Sequence, residues 1–391
     1  MVSANGSDGI NMANEYRVSQ NWINEVFEIS TPVLPVENQD YSSADWNRFQ
    51  TFLSLSANAG QVFSNPICHT YSLIYTTSGA YYGGVLDIHG DVNFIPHNAE
   101  VGQKITWFNR NITYSLSYTG QNAYAGGVLL PNGDVRFVPF SANNTNNFNH
   151  AQRINSSKVL SVLNFPVLMD SAYTGAIVSS SGATHFIPRT SNVGVALNSR
   201  TFTAIPYTLV YSTTDAYFGG SLDISGDIHF IPHSAVVGQK VAANSTVSTY
   251  SLVYTTSGAY AGGVLSSSGE IHFIPHNANR GQKVAANGTV STYSLAYTTS
   301  GAYAGGVFSP TGEIHFVPYN ATVGQKISAN GVVSTYSLAY TTSGAYIGGV
   351  LNHNGDIHLV PYNATVGQVL VTGAAEPFDL GVCCSMFLNK L

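Results

Sequence analysis

From about residue 70 to residue 372 the chain alternates apolar and polar positions in short runs divided by turn residues, with no 3.6-residue apolar periodicity. Residues 261–266, Ala-Gly-Gly-Val-Leu-Ser, predict a first strand. A turn follows at Ser-Ser-Gly-Glu, where Gly269 is free to take positive φ. Residues 270–274 alternate and are β-branched, which predicts a second strand ended by Pro275 and the loop His-Asn-Ala-Asn-Arg-Gly. Residues 282–286 predict a third strand, stopped by Asn287-Gly288, and residues 290–297 a fourth. The loop Thr-Thr-Ser-Gly then opens the next unit.

This unit recurs. Residues 254–275 are nearly repeated at 75–96, 211–232, 297–318 and 340–361, and looser copies end at Pro139 and Pro188. The anchoring prolines, Pro96, Pro139, Pro188, Pro232, Pro275, Pro318 and Pro361, are spaced by 43, 49, 44, 43, 43 and 43 residues. Four short strands per unit of this length are the signature of a propeller blade, so the expected fold is an all-β, seven-bladed β-propeller of four-stranded blades. Paired glycines fit the crowded innermost strand, as at Gly83-Gly84 and Gly262-Gly263; only the third unit departs, with Gly175-Ala176. The chain enters the first unit through a fourth-type strand at 70–75 and leaves the seventh after a third-type strand at 368–371. The entering strand is therefore expected to complete the last blade, with 374–391 competing for that place or adding beside it. Cys68 precedes the entering strand and Cys383 and Cys384 lie in the exiting segment, so a disulfide from Cys68 to one of the pair is an option beside three buried thiols.

The expected organisation is a non-repeating arm at 1–66, a ring at 67–373 and a closing segment at 374–391. Within the arm, residues 43–53 read as a short capped helix with Trp46, Phe49, Phe52 and Leu53 on one side, and residues 30–38 as an extended linker. The arm is either packed on the rim or an attachment device.

Composition narrows the classes. Charged residues are 9% of 391, against about 25% in an average soluble domain. With 14 Lys+Arg against 20 Asp+Glu and no basic run, the footprint of nucleic-acid binding is missing. No run of about 18 apolar residues is present, so membrane insertion is not expected. The first residues lack the basic and apolar regions of a secretory signal, which with a Ser/Thr/Asn/Gly/Tyr-rich surface suits a protein folded in cytosol and exposed outside a cell.

Histidine recurs at one repeat position, His185, His229, His272, His315 and His358, with Asn93 and Arg136 in the first two units. One histidine per blade around a ring cannot converge at the roughly 2 Å of a His–Zn bond, so no metal is expected and a repeated hydrogen bond between blades is. Acids recur after the first turn, at Asp91, Asp134, Asp227, Glu270, Glu313 and Asp356, and read as turn chemistry on a solvated rim. Tyrosines before the paired glycines are expected to pack between blades with bonded hydroxyls. The second unit carries an Asn-rich insertion at 141–150 and the third lacks both acid and Lys, so a unique site is expected there. The candidate binding residues are Arg136, Phe140, His150 and Arg189 in those two units, with His233, His276, Tyr319 and Tyr362 on the second-to-third loops. That face offers neutral donors and acceptors beside aromatic rings, which suits sugar. No Gly-x-Ser-x-Gly, P-loop or dinucleotide fingerprint occurs, so neither an enzyme nor a cofactor is expected.

The motif Gly-Gly-Val-Leu-x-x-x-Gly-[Asp/Glu]-Ile-His-Phe-[Ile/Val]-Pro, over roughly residues 70–372, resembles repeats of propeller-like proteins predicted in viruses, especially marine phages. The resemblance implies a virion structural or host-attachment protein, assembled in host cytoplasm and exposed extracellularly. Its partners would be other virion proteins through the arm, and host-surface glycans; a lectin-like propeller with repeated inter-blade sugar sites is the alternative.

Overall fold

The computed structural model describes residues 64–373 except 142–148, 156, 166–170 and 199–202. They form seven separate four-stranded antiparallel sheets arranged as a closed propeller. Blade 4 is representative, with strands Tyr217–Leu222, Ile228–Pro232, Val237–Val241 and Val247–Ser251 in order from the axis outward. In blade 7 the strand Ile67–Ser72 occupies the outer place and pairs antiparallel with Val366–Val371, Ile67 opposite Val371 and Ser72 opposite Val366. The ring is thus closed by its own beginning, as the repeat phase requires. The expected short helix at 43–53, the linker, the closing segment 374–391 and any pairing of Cys68 with Cys383 or Cys384 lie outside the described residues. Cys68 is half-buried, and burial pushes its thiol up to about 11.

Strand limits differ from those expected in one instructive way. The third strand of blade 5 is Arg280–Val284 and the fourth stops at Ser294. The cause is a register lock. Gly281 stands opposite Tyr293, and a Cβ on Gly281 would lie 2.1 Å from the tyrosine ring. The tyrosine therefore lies flat over the glycine and holds that pair in register. Beyond Ser294 the backbone turns toward the next blade instead of continuing the ladder. In blade 7 the same shift places the closing strand at Ile67–Ser72 and not at 70–75.

That turn toward the next blade has a buried anchor. Gln282, fully buried, accepts at Oε1 from the N–H groups of Val253 and Tyr254, at 3.0 and 2.9 Å, in the connection arriving from blade 4. Gln103, Gln152, Gln239 and Gln325 do the same to two N–H groups each, and Gln368 to the Tyr340 N–H. Blade 3 has Val195 at this position. Apolar clusters fill the spaces between blades; one joins Tyr81, Val92 and Phe94 of blade 1 to Val350 and Val360 of blade 7. The tyrosines before the paired glycines are buried in these clusters as expected. Their hydroxyls, however, bond within their own blade, Tyr303 donating to the Val323 carbonyl at 3.2 Å.

At the axis the first glycine of each pair has positive φ and packs against its counterpart in the next blade. A Cβ on Gly262 would lie 3.0 Å from Cα of Gly305, and one on Gly348 3.2 Å from Cα of Gly83. At Gly175 a Cβ would meet nothing within 4 Å, so the junction of blades 3 and 4 is the open one.

The buried glutamines yield a test. Gln282→Leu leaves two part-buried N–H groups without their acceptor, at a cost of about 1 kcal/mol each. The expected outcome is a loss of about 2 kcal/mol or more in urea unfolding, with the native circular dichroism retained; an unchanged midpoint would show that the anchor contributes nothing.

Candidate functional site

Each second strand ends in the anchoring proline, and the next residue opens the loop at one end of the axis. These seven residues are His97, Phe140, Arg189, His233, His276, Tyr319 and Tyr362, one per blade. They meet in a ring. Centroid separations are 5.7 Å for His97–Phe140, His233–His276 and His276–Tyr319, 6.0 Å for Tyr319–Tyr362 and 6.2 Å for His97–Tyr362. The Arg189 guanidinium lies 5.2 Å from the Phe140 ring centroid, a cation–π contact. The backbone sets this geometry. The carbonyl of each rim residue accepts from the next blade's connection, as Tyr362 does from Ala80 N–H at 3.0 Å and His233 from Ala259 N–H at 2.7 Å.

The floor of this mouth comes from the innermost strand, one residue past the buried tyrosine. Most blades have a small residue there, such as Ala125, Ala261 or Ala304, but blade 1 has Tyr82 and blade 4 has Phe218. These rings reach each other across the axis at 5.9 Å; Tyr82 also lies 5.1 Å from His97 and Phe218 5.3 Å from His233. Burial keeps the Tyr82 hydroxyl protonated.

The rim's electrostatics are specific. Asp215, at φ 52° in the connection into blade 4, accepts from Arg189 Nε at 2.5 Å. Nδ1 of His97, His233 and His276 faces the carbonyls of Tyr124, Tyr260 and Tyr303 at 2.7, 2.9 and 2.9 Å. A carbonyl only accepts, so in the neutral imidazole Nδ1 carries the proton and Nε2 the lone pair. Burial, only partly offset by these carbonyls, holds all three below the ordinary histidine value, so they are neutral at pH 7.

Six of the eight residues proposed from sequence therefore lie in the mouth: Phe140, Arg189, His233, His276, Tyr319 and Tyr362. Arg136 does not. It is 1% exposed, paired in register with Val128 and Arg153 at the repeat histidine position, and burial pushes its guanidinium down to about 10. His150 belongs to the strand Asn149–Ile154 and not to the insertion loop, and its side chain lies outside the described residues. Sequence reading missed His97, Tyr82, Phe218 and Asp215. His97 was legible, since it follows an anchoring proline; Tyr82 and Phe218 are the aromatic exceptions at a position otherwise alanine, threonine or isoleucine, and Asp215 is the charged exception at a position otherwise glycine, asparagine or serine.

The repeat histidines do something else. His229, His272 and His358 reach a tyrosine hydroxyl of their own blade, not of a neighbouring one. His229 Nδ1 is 3.1 Å from the Tyr250 hydroxyl and Nε2 3.4 Å from Asp223, all in blade 4, and His358 reaches Tyr71 of blade 7 at 3.4 Å. The recurring acids are not a solvated rim either. Lys240 pairs with Asp227 at 2.7 Å, Lys283 with Glu270 at 2.7 Å and Lys326 with Glu313 at 2.6 Å, each in its own blade. Asp356, without such a lysine, is pushed up to about 6 by burial. Among the described residues no group of three or more His, Cys, Asp or Glu is placed to hold a metal ion.

No protein-family model and no curated relative matches the sequence. Solved structures do. Virginiamycin B lyase from Staphylococcus aureus superposes with a TM-score of 0.67 at 15% identity, over 78% of this chain and 99% of that one. A streptogramin B lyase gives 0.67 at 16%, over 80% and 100%. An auxiliary nutrient-binding protein from Bacteroides ovatus gives 0.54 at 10%, over 80% and 77%. At these identities the likeness shows the fold alone. The chain is a seven-bladed β-propeller of four-stranded blades.

The buried histidines make stability depend on pH. Burial pushes His185, His272, His353 and His358 down to about 4, from an ordinary 6.5. Between pH 6.5 and 4 the unfolded chain thus binds more protons than the ring, and stability falls as pH falls. Asp356 acts in the opposite sense over part of that window, one group against four. The melting temperature is expected to drop steeply from pH 6.5 to 4, and less steeply in His358→Asn; a flat profile would contradict the buried neutral belt.

Proposed function

We propose that this chain is a recognition protein. The rigid ring presents one binding site, the axial mouth, and the bound group is the end of a glycan. The observation that carries this is the floor formed by Tyr82 and Phe218. Two aromatic rings stand at positions where the other blades keep alanine, threonine or isoleucine, beneath a rim of imidazole, phenol and one Arg–Asp pair. Aromatic faces beside neutral donors and acceptors match the two chemistries of a sugar, its C–H face and its hydroxyls. The mouth is single, which argues for one site per ring and not for repeated inter-blade sites.

The site's setting follows from the repeat resemblance alone: a virion protein that attaches to a host surface through this mouth and to other virion proteins through residues 1–66. Chain direction agrees with that arrangement. Ile67 and Val371 pair at the end of blade 7 opposite the mouth, so the ring joins the rest of the chain on the far face.

The full-length chain on a printed glycan array is expected to retain a discrete set of glycans. Phe218→Ala should lower apparent affinity at least tenfold while the ring still melts cooperatively. Retention of no glycan, or equal binding by Phe218→Ala, would overturn the reading.

A further inference from the structure

The mouth's hydrogen-bonding polarity identifies the chemistry of its ligand, on the reading that the mouth binds glycan. We infer that the axial mouth takes one uncharged hexose unit, whose hydroxyls donate to Nε2 of His233 and His276 and to the Asp215 carboxylate while a face of the sugar ring lies on Phe218. The strongest alternatives elsewhere are spent. The groove of about 210 Å³ between blades 4 and 5 is lined by Asp227 and Lys240, already paired with each other. The stack of Trp107 on His353 is a packed seam between blades 1 and 7.

The mouth is rich in acceptors. The Nδ1 contacts with the Tyr260 and Tyr303 carbonyls consume the only N–H of each neutral imidazole, leaving Nε2 as a lone-pair acceptor. Asp215 is acceptor-only and spends Oδ1 on Arg189 Nε, which leaves Oδ2. The tyrosine hydroxyls of the rim can serve in either sense. A ligand that satisfies this set must bring several O–H or N–H donors.

Charge sets a neutral polyol apart from an ammonium and from a carboxylate. Arg189 and Asp215 are ion-paired, so the rim carries no net charge to select an ion. An ammonium ligand would approach the Arg189 guanidinium, which already occupies the cation–π position over Phe140. A carboxylate would approach Asp215 and the lone pairs of His233 and His276. An uncharged polyol meets neither repulsion. Phe218, 5.3 Å from His233 and 5.9 Å from Tyr82, supplies the apolar surface under it.

The test is isothermal titration of the full-length chain with three kinds of probe: methyl glycosides of glucose, galactose and mannose, the matching uronic acids, and tetramethylammonium. The expected result is one equivalent of a neutral glycoside, with the uronic acids and tetramethylammonium at least tenfold weaker. Asp215→Asn and His276→Phe should each weaken the glycoside at least fivefold. Asp215 lies on a connecting loop, so its variant stays informative should His276→Phe fail to fold. Tighter binding of a uronic acid or of tetramethylammonium, lost in Phe218→Ala, would overturn the neutral-hexose assignment and leave the mouth as the site. Glycoside binding unchanged in both rim variants would also overturn it. An array-positive protein that takes none of the glycosides would overturn the single-unit assignment. Silence on both array and titration would sink the glycan reading with it.

Discussion

The close approach of seven backbones around one axis sets everything else. A Cβ at the first glycine would lie 3.0–3.4 Å from Cα of the next inner strand at every blade but the third, so side chains there would widen the ring. At the radius these glycines allow, the residue after each anchoring proline falls within van der Waals reach of the next. The mouth is therefore a by-product of inner-strand packing. Its rim side chains come together because the strands below them do, and aromatic side chains fill its floor where they replace the alanine, threonine or isoleucine of other blades.

A division of labour between repeat positions follows. Positions that hold the ring are nearly invariant from blade to blade. The glutamine staples an incoming connection, and Asn277, Asn320 and Asn363 clip the loops, each Oδ1 accepting from a glycine N–H of the next blade at 2.8, 2.8 and 3.0 Å. Lysine–acid pairs link the second and third strands within blades 1, 4, 5 and 6. These groups are turned to their neighbours and away from the axial mouth. The rim positions hold the ring through their backbone carbonyls, so their side chains can differ, and they do: three imidazoles, two phenols, one phenyl and one guanidinium.

That division also explains what the sequence could and could not reveal. Blade number, strand order and ring closure were readable because glycine, proline and β-branched positions recur every 43 residues or so. Most of the rim was readable because it sits beside the anchoring prolines. Arg136 misled because it breaks the repeat, yet it breaks it at a buried position; departure from a repeat marks a site only where the position faces open space. The partners of the repeat histidines were misjudged because period-two alternation shows which face a residue takes and not which blade answers it. Gly281 and Tyr293 look like ordinary strand residues until the register sets one on the other, so strand limits slipped by two or three residues.

The ladder joining Ile67 to Val371 spans the whole ring in sequence. On a ribosome, six blades can form in order, each leaning on the last, while the outer edge of the seventh waits for a strand made long before. Until the final strands emerge, Ile67–Ser72 must stay unpaired and accessible. Closure is then a loop-closing event whose entropy cost grows only logarithmically with length, but whose failure leaves an open arc with two unmatched edges. For such an arc the nearest substitute partner is the same edge on a second nascent chain, so exposure to misassembly is greatest just before Ile67–Ser72 and Val366–Val371 pair.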